Sequence, residues 1–279
     1  MKVFIVGLGL MGASYAQMLT NLGYSVYGYD KNEEVLEYAK KDKVILGTDL
    51  KYLKSADLVI LALYPNQNID FVKKYLEYFD SQLVTDISGS KTHLLETLFQ
   101  LLPNTVRYLS HHPMAGREKS GYFNKDISMF KGANFIIIDS NKHTPDDLKV
   151  LKKLAKDFGF KNITILSATA HDHLIAHTSQ LTHLLAVGLM LIDHSDKTKD
   201  ATGDSFRDLT RIANINETMW TELFLDNKNA LIEKTDEFIK TLESIKYDIQ
   251  SSDAKSLKDK LIKSKQRRMM FDENKSKSI

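Results

Sequence analysis

Two short stretches of this chain carry residue types whose spacing could do chemistry. One is Gly7-Leu8-Gly9-Leu10-Met11-Gly12, a G-x-G-x-x-G pattern; the other is His111-His112-Pro113-Met114-Ala115-Gly116-Arg117-Glu118-Lys119-Ser120-Gly121. Glycines at the first spacing let the backbone turn tightly, approach a pyrophosphate and pack a helix close against a strand. The amides that open that helix offer an anion both donors and a positive dipole. In the second stretch, a histidine titrates near physiological pH, so its neutral ring can accept a hydroxyl proton while a hydride leaves the same carbon. The pair points to alcohol oxidation with a nicotinamide cofactor, with His112 as the base and His111 in a structural role.

The elements that must position these groups follow from the hydrophobic period. Residues 3–6 are apolar and rich in β-branched side chains, the glycines come next, and 13–22 suit a helix. That is strand, tight turn and helix. A second strand, 25–29, ends at Asp30, where a carboxylate about 20 residues beyond the glycines suits ribose hydroxyls and repels the extra phosphate of NADP. Lys31 is a weaker signal in the opposite direction. Contacts to NAD are expected from Gly7, Leu8, Gly9, Leu10, Met11, Gly12 and Asp30, and from Leu63 at the end of a third strand, 57–63.

Further strand-like runs at 83–87, 107–110, 134–138 and 162–166 alternate with helical patterns such as 33–41 and 68–79. Such alternation makes an α/β chain with a doubly wound, Rossmann-like parallel sheet. After Ser167 helical periodicity dominates, at 168–193, 217–247 and 254–270. A dinucleotide-binding domain over 1–167 and an all-helical domain over 168–279 are therefore expected. The strand ending at Ser110 would deliver His112 to the carboxyl edge of the sheet, on a turn stiffened by Pro113 and permitted by Gly116.

Composition excludes several classes of partner. The 279 residues include 38 basic and 36 acidic ones, a net charge of +2, so no global field draws nucleic acid. The lysine-rich stretch 255–277 reads as a solvated helix face, since aromatic interleaving is nearly absent. No cysteine is present, which rules out disulfides and thiolate metal sites and suits a reducing, cytoplasmic setting. Lys2 and the apolar residues after it imitate a signal peptide, but the glycine spacing explains them better. The longest later apolar run, 184–192, is too short to span a bilayer, so no membrane partner is expected. His173 and His177 stand at i and i+4 without an acidic third ligand, and no metal site is expected.

The histidine segment resembles that of the prephenate dehydrogenase family, which oxidatively decarboxylates prephenate or arogenate on the way to tyrosine. The resemblance extends over most of the chain. It implies that His112 hydrogen-bonds the substrate's ring hydroxyl and that the family's glutamate in this segment falls on Glu118. A second similar segment is His171-Asp172, then Ala176, Ser179, Leu181 and His183, with Gln180 where the family commonly has histidine. It implies a place for His183 in the substrate pocket, while Ala176, Ser179, His183 and Ala186 fall on one helix face. A third segment, Phe206-Arg207-Asp208-Leu209-Thr210-Arg211-Ile212-Ala213 with Met219-Trp220 beyond it, is also similar to the family's and implies that Arg211 binds a substrate carboxylate, a role suited to its planar fork. Trp220 is expected to pack. A fourth, Asp86-Ile87-Ser88-Gly89-Ser90-Lys91, has Gly89 at the family's serine position, so Ser88 or Ser90 is expected to assist His112.

With the resemblance, the expected activity is NAD-dependent conversion of prephenate, favoured over arogenate, to 4-hydroxyphenylpyruvate by a cytoplasmic homodimer paired through its helical domain. With the last basic helix ending near Ile279, no added regulatory domain is expected. The alternatives are a hydroxyisobutyrate-type β-hydroxyacid dehydrogenase, which would need a lysine base, and a non-catalytic NAD sensor, which would not need both His112 and Arg211.

Overall fold

The computed structural model describes residues 1–117 and 119–276, and two compact units are distinguished within the chain, Met1–Lys228 and Asn229–Ile279. In the first unit, strands β1 (Lys2–Val6), β2 (Ser25–Tyr29), β3 (Leu58–Leu61), β4 (Leu83–Asp86) and β5 (Arg107–Tyr108) form a parallel sheet in the order β2-β1-β3-β4-β5. Val3, Phe4, Ile5 and Val6 are fully buried, as a strand covered on both faces requires. The order of strands reverses between β1 and β3. A crevice opens there at the carboxyl ends, the usual ligand position in such sheets.

A second, three-stranded sheet departs from the all-parallel expectation. Strand β6 (His111–Met114) lies antiparallel to β7 (Asn134–Ile138), which runs parallel to β8 (Asn162–Leu166). Residues 111–114 are thus a paired strand, not the turn expected for them. Pro113 is tolerated because β6 ends the sheet. Alternation along β6 turns His111 and Pro113 into the core and leaves His112 and Met114 half-buried on the other face.

Beyond β8 the chain is helical. A long helix, Ala168–Leu191, contains a π-helical turn at Ala176–Gln180. By length and composition it is apolar enough to cross a membrane, which the short run 184–192 did not foretell. It also buries His171 and Asp172 within the protein, a use of polar side chains that fits a helix packed on protein. Shorter helices at Asp204–Thr210 and Glu217–Asp226 complete the first unit. The remaining unit consists largely of the antiparallel helices Lys228–Gln250 and Ala254–Ser276. Lys260 ties them together by pairing with Asp248 and donating to Ser244 Oγ at 2.7 Å.

Candidate active site

The glycine loop joins β1 to the helix Leu10–Asn21. Gly7 has φ +93°, and a Cβ there would run into Leu63 and the Ala62 carbonyl. At Gly12 a Cβ would collide with the Gly7 carbonyl oxygen, so this glycine lets the helix sit against the loop. Gly9 differs: a Cβ on it would meet nothing within 4 Å, and it caps the helix without any side-chain hydrogen bond. The loop therefore presents open backbone and an uncapped helix N-terminus to the crevice. Asp30 braces it, with Oδ2 accepting from the Leu8 amide at 2.8 Å and Oδ1 from the Asn32 amide at 2.9 Å. Leu8 itself is fully buried, so only its backbone belongs to the loop surface.

From the loop a cavity of about 820 Å³ extends along β6 to the helical segments. Gly9, Leu10 and Met11 line it at one end, His112 and Gly89 at its middle, and His183, Trp220 and Leu223 on the helical side. Gly7, Leu8, Gly12, Asp30 and Leu63 are not among its lining residues. The π turn sets which face of the long helix is presented: Ile175, Ser179, Gln180 and His183 line the cavity, while Ala176 and Ala186 are fully buried. The small-residue face expected from regular helical spacing is thus divided, its two alanines packed inward and Ser179 and His183 turned to the cavity, because a π turn inserts a residue into the repeat.

The two adjacent histidines have opposite surroundings. His111 is 1% exposed, stacked on Phe135, with its ring nitrogens hydrogen-bonded to Tyr15 Oη at 2.9 Å and Thr85 Oγ1 at 2.7 Å. Burial, aided by the Lys91 charge, pushes its pKa down to about 3, so it stays neutral. His112 reaches the cavity, and its Nδ1 lies 2.9 Å from His171 Nε2. Burial of most of the ring, together with His171, Lys91 and His111, holds its pKa well below the usual histidine value. A neutral ring can accept a proton from a substrate hydroxyl.

Below this pair lies a buried polar group. Lys91 Nζ donates to Asp86 Oδ1 at 2.5 Å and to the His111 carbonyl at 2.7 Å, while Tyr108 Oη donates to Asp86 Oδ2 at 2.9 Å. Burial alone would raise the Asp86 carboxyl, but the Lys91 charge and these hydrogen bonds bring it below its ordinary range. Lys91 thus stabilises an acidic neighbour and fastens the start of β6 to β4.

Several expected residues are placed elsewhere. Ser88 Oγ accepts from Asn68 Nδ2 at 3.2 Å, and Ser90 Oγ donates to Asp226 Oδ2 at 3.3 Å; both side chains are buried and neither lines the cavity. The Asp86 carboxylate accepts the Ser88 amide, a tight turn that presents Gly89 to His112 instead. Arg211 opens a short 3-10 turn, is exposed and does not line the cavity, whereas the next residue, Ile212, does. Glu118 lies outside the described residues. His183 does line the cavity, stacked on Trp220 at 3.8 Å with its Nδ1 donating to the Ser179 carbonyl at 2.8 Å. Gln180 is a brace: its Nε2 donates to the Leu223 carbonyl and its Oε1 accepts from Asn227 Nδ2.

Residues not singled out from sequence also appear. Arg117 and Lys119 are the cations among the described lining residues, and Arg117 pairs with Asp126 at 2.5 Å. They lie in the same motif as His112, so their proximity was available from spacing alone. Among the described residues no group of three or more His, Cys, Asp or Glu side chains could hold a metal ion.

Residues 15–164 match the prephenate dehydrogenase nucleotide-binding domain, and residues 167–263 match the prephenate dehydrogenase dimerization domain. The chain belongs to the prephenate dehydrogenase family. It is 30% identical over 269 residues to the prephenate dehydrogenase of Lactococcus lactis, spanning 92% of this chain and 73% of that protein. To the cyclohexadienyl dehydrogenase of Zymomonas mobilis it is 28% identical, over 96% of this chain and 94% of that one. Among solved structures, the prephenate dehydrogenase of Aquifex aeolicus in complex with hydroxyphenyl propionate and NAD+ is 28% identical with a TM-score of 0.87, covering 97% of this chain and 98% of that chain. Synechocystis arogenate dehydrogenase, 22% identical with a TM-score of 0.84 over 97% of this chain and 100% of its own, shares the fold. Family membership makes the chain a dehydrogenase of the prephenate and arogenate type, with a nucleotide-binding domain joined to a helical dimerization domain.

Proposed function

We propose that this protein is an NAD-dependent prephenate dehydrogenase that converts prephenate to 4-hydroxyphenylpyruvate and carbon dioxide. The observation that carries the reading is the neutral His112 on the wall of a single cavity that begins at the glycine loop. The loop fits a dinucleotide: the space over Gly9 is open and the helix start is uncapped, as a pyrophosphate needs. Bound there, NAD would accept a hydride from the substrate ring. The ribose hydroxyls would share the Asp30 carboxylate, which keeps lone pairs beyond its two backbone bonds and disfavours a 2′-phosphate.

On the substrate side, His112 would accept the hydrogen bond of the C4 hydroxyl and then its proton. Loss of the C4 hydride and departure of the ring carboxylate as carbon dioxide leave an aromatic phenolate, to which His112 returns the proton, so the protein chiefly orients C4 and excludes water. Arg117 and Lys119 are proposed as the cations that face the carboxylates, with His183 and Trp220 closing the far wall. Arg211, exposed and off the wall, is given no direct part. Domains dividing near residue 167, a homodimer formed through the helices and a cytoplasmic location complete the proposal.

The test is NADH absorbance with purified protein, comparing prephenate with arogenate and NAD with NADP. Turnover of prephenate with NAD at the highest kcat/KM supports the reading. Preference for arogenate would overturn the substrate assignment, and equal kcat/KM with both cofactors would overturn that of Asp30.

A further inference from the structure

His112 is held in place by a group on the long helix. Asp172 accepts from the amides of Lys91 and Thr92, at 3.0 and 2.8 Å, and its Oδ1 lies 2.8 Å from His171 Nδ1. A carboxylate offers only acceptors, so His171 must carry its proton on Nδ1. Burial would raise the Asp172 carboxyl, but His171 and Thr92 bring it below its ordinary range, and burial of His171 lowers that ring in turn. The acid is ionised and the ring neutral. His171 Nε2 is then a bare lone pair, and at 2.9 Å it can only accept the proton of His112 Nδ1–H. That leaves His112 Nε2 as the unprotonated nitrogen.

We infer that His171 and Asp172 are positioning residues, which lock His112 as its Nδ1–H tautomer and keep a bare Nε2 for the substrate hydroxyl. Without this fixed chain a neutral imidazole divides between two tautomers, one of which has a hydrogen where the base is needed. The Gly89 turn explains why the task falls to the helix: a Cβ there would stand 4.0 Å from His112 Cε1, but glycine supplies no group to hold the ring, and the hydroxyls of Ser88 and Ser90 are engaged elsewhere. His171 is fully buried and Asp172 nearly so, with Asn227 Nδ2 donating to the Asp172 carbonyl at 2.8 Å, so the orienting group is itself fixed.

The inference deepens the proposed reaction and rests on it for the role of His112, whereas the tautomer can be measured without turnover. Protein labelled with 15N-histidine is recorded by long-range 1H–15N correlation above neutral pH, and His112 is assigned by the signals lost in His112→Asn. The expected spectrum shows His112 protonated on Nδ1. His171→Leu, of similar bulk but without an acceptor, should move His112 toward the Nε2–H form and lower kcat by roughly 10–100-fold with KM little changed. His171→Gln, whose amide oxygen can take the same proton, should keep the Nδ1–H form and recover most of kcat. An Nε2–H signal in the unmodified protein overturns the inference, as does an unchanged tautomer and kcat in His171→Leu. If His171→Leu does not fold, the unmodified protein and His171→Gln still decide. Should neither prephenate nor arogenate turn over, the substrate assignment fails while the tautomer spectra stand on their own.

Discussion

The two ends of the cavity are built in contrasting ways. At the cofactor end, one continuous segment from β1 through the helix Leu10–Asn21 supplies strand, turn and anion-binding helix start, and Gly7 and Gly12 serve only to let these pieces meet. The substrate end is assembled from β6, the turn after β4, the long helix and the helix Glu217–Asp226. His112 meets an orienting partner 59 residues away, and that partner's aspartate also caps the helix Thr92–Leu101. A local site tolerates changes in the rest of the chain; an assembled one depends on packing between segments. The first is a backbone device, the second a side-chain device.

The largest effect is expected at the assembled end. His112→Asn removes the base while keeping a polar side chain, so kcat should fall roughly 10²–10⁴-fold with KM less affected. The pH profile checks the same assignment. His112 works as the neutral ring, present above its pKa and lost as pH falls through it. His171 and Asp172 on the long helix, Lys91 and Asp86 beside the β4 turn and His111 on its own strand surround it, and the net result holds its pKa well below 6.5. Activity of the unmodified protein should stay level through neutral pH and fall only on the acid side of that value; this limb should disappear from the residual activity of His112→Asn. Near-normal kcat with the limb intact would move the role to His183.

At the local end, two alanine substitutions three residues apart in one motif should behave differently. Gly12→Ala drives a methyl into the Gly7 carbonyl and should cost about 1–3 kcal/mol of stability, read as a lower Tm without any ligand. Gly9→Ala meets no protein atom, so its Tm should hold while the Kd for NAD rises. If both variants lost the same stability, the distinction between a packing glycine and a ligand-facing one would collapse.

The smallest expected effect separates two arginines. Arg117→Gln removes a cation from the cavity wall and should raise KM about tenfold, the size of one charge-assisted hydrogen bond. Arg211→Gln should change KM by no more than about twofold if the substrate does not reach it. The reverse order in steady-state kinetics would return the carboxylate to Arg211 and show that the wall rearranges when substrate binds.

Most of the glycine loop was legible because its spacing, its flanking strand and helix and Asp30 are all close in sequence. The brace that Asp30 gives the Leu8 amide was not, since a carboxylate at that position reads as a ribose ligand alone. His111 and His112 were expected to differ, and strand alternation gives them different surroundings: successive side chains leave opposite faces. That the serines beside Gly89 turn away from the cavity was not legible, because the direction of a side chain within a tight turn depends on what the turn's carboxylate accepts. Arg211 stands off the wall for a related cause, as one step along a 3-10 turn points the next residue, Ile212, at the cavity instead.

By itself the sequence determined the α/β order, the change to helix after Ser167, the nucleotide loop and the family, since each is written in local spacing. Only the tertiary structure decided which histidine nitrogen is bare, which face of the long helix lines the cavity and which cations stand beside it. Those outcomes depend on hydrogen bonds between segments far apart in the chain and on one π turn, and neither leaves a periodic mark in the sequence.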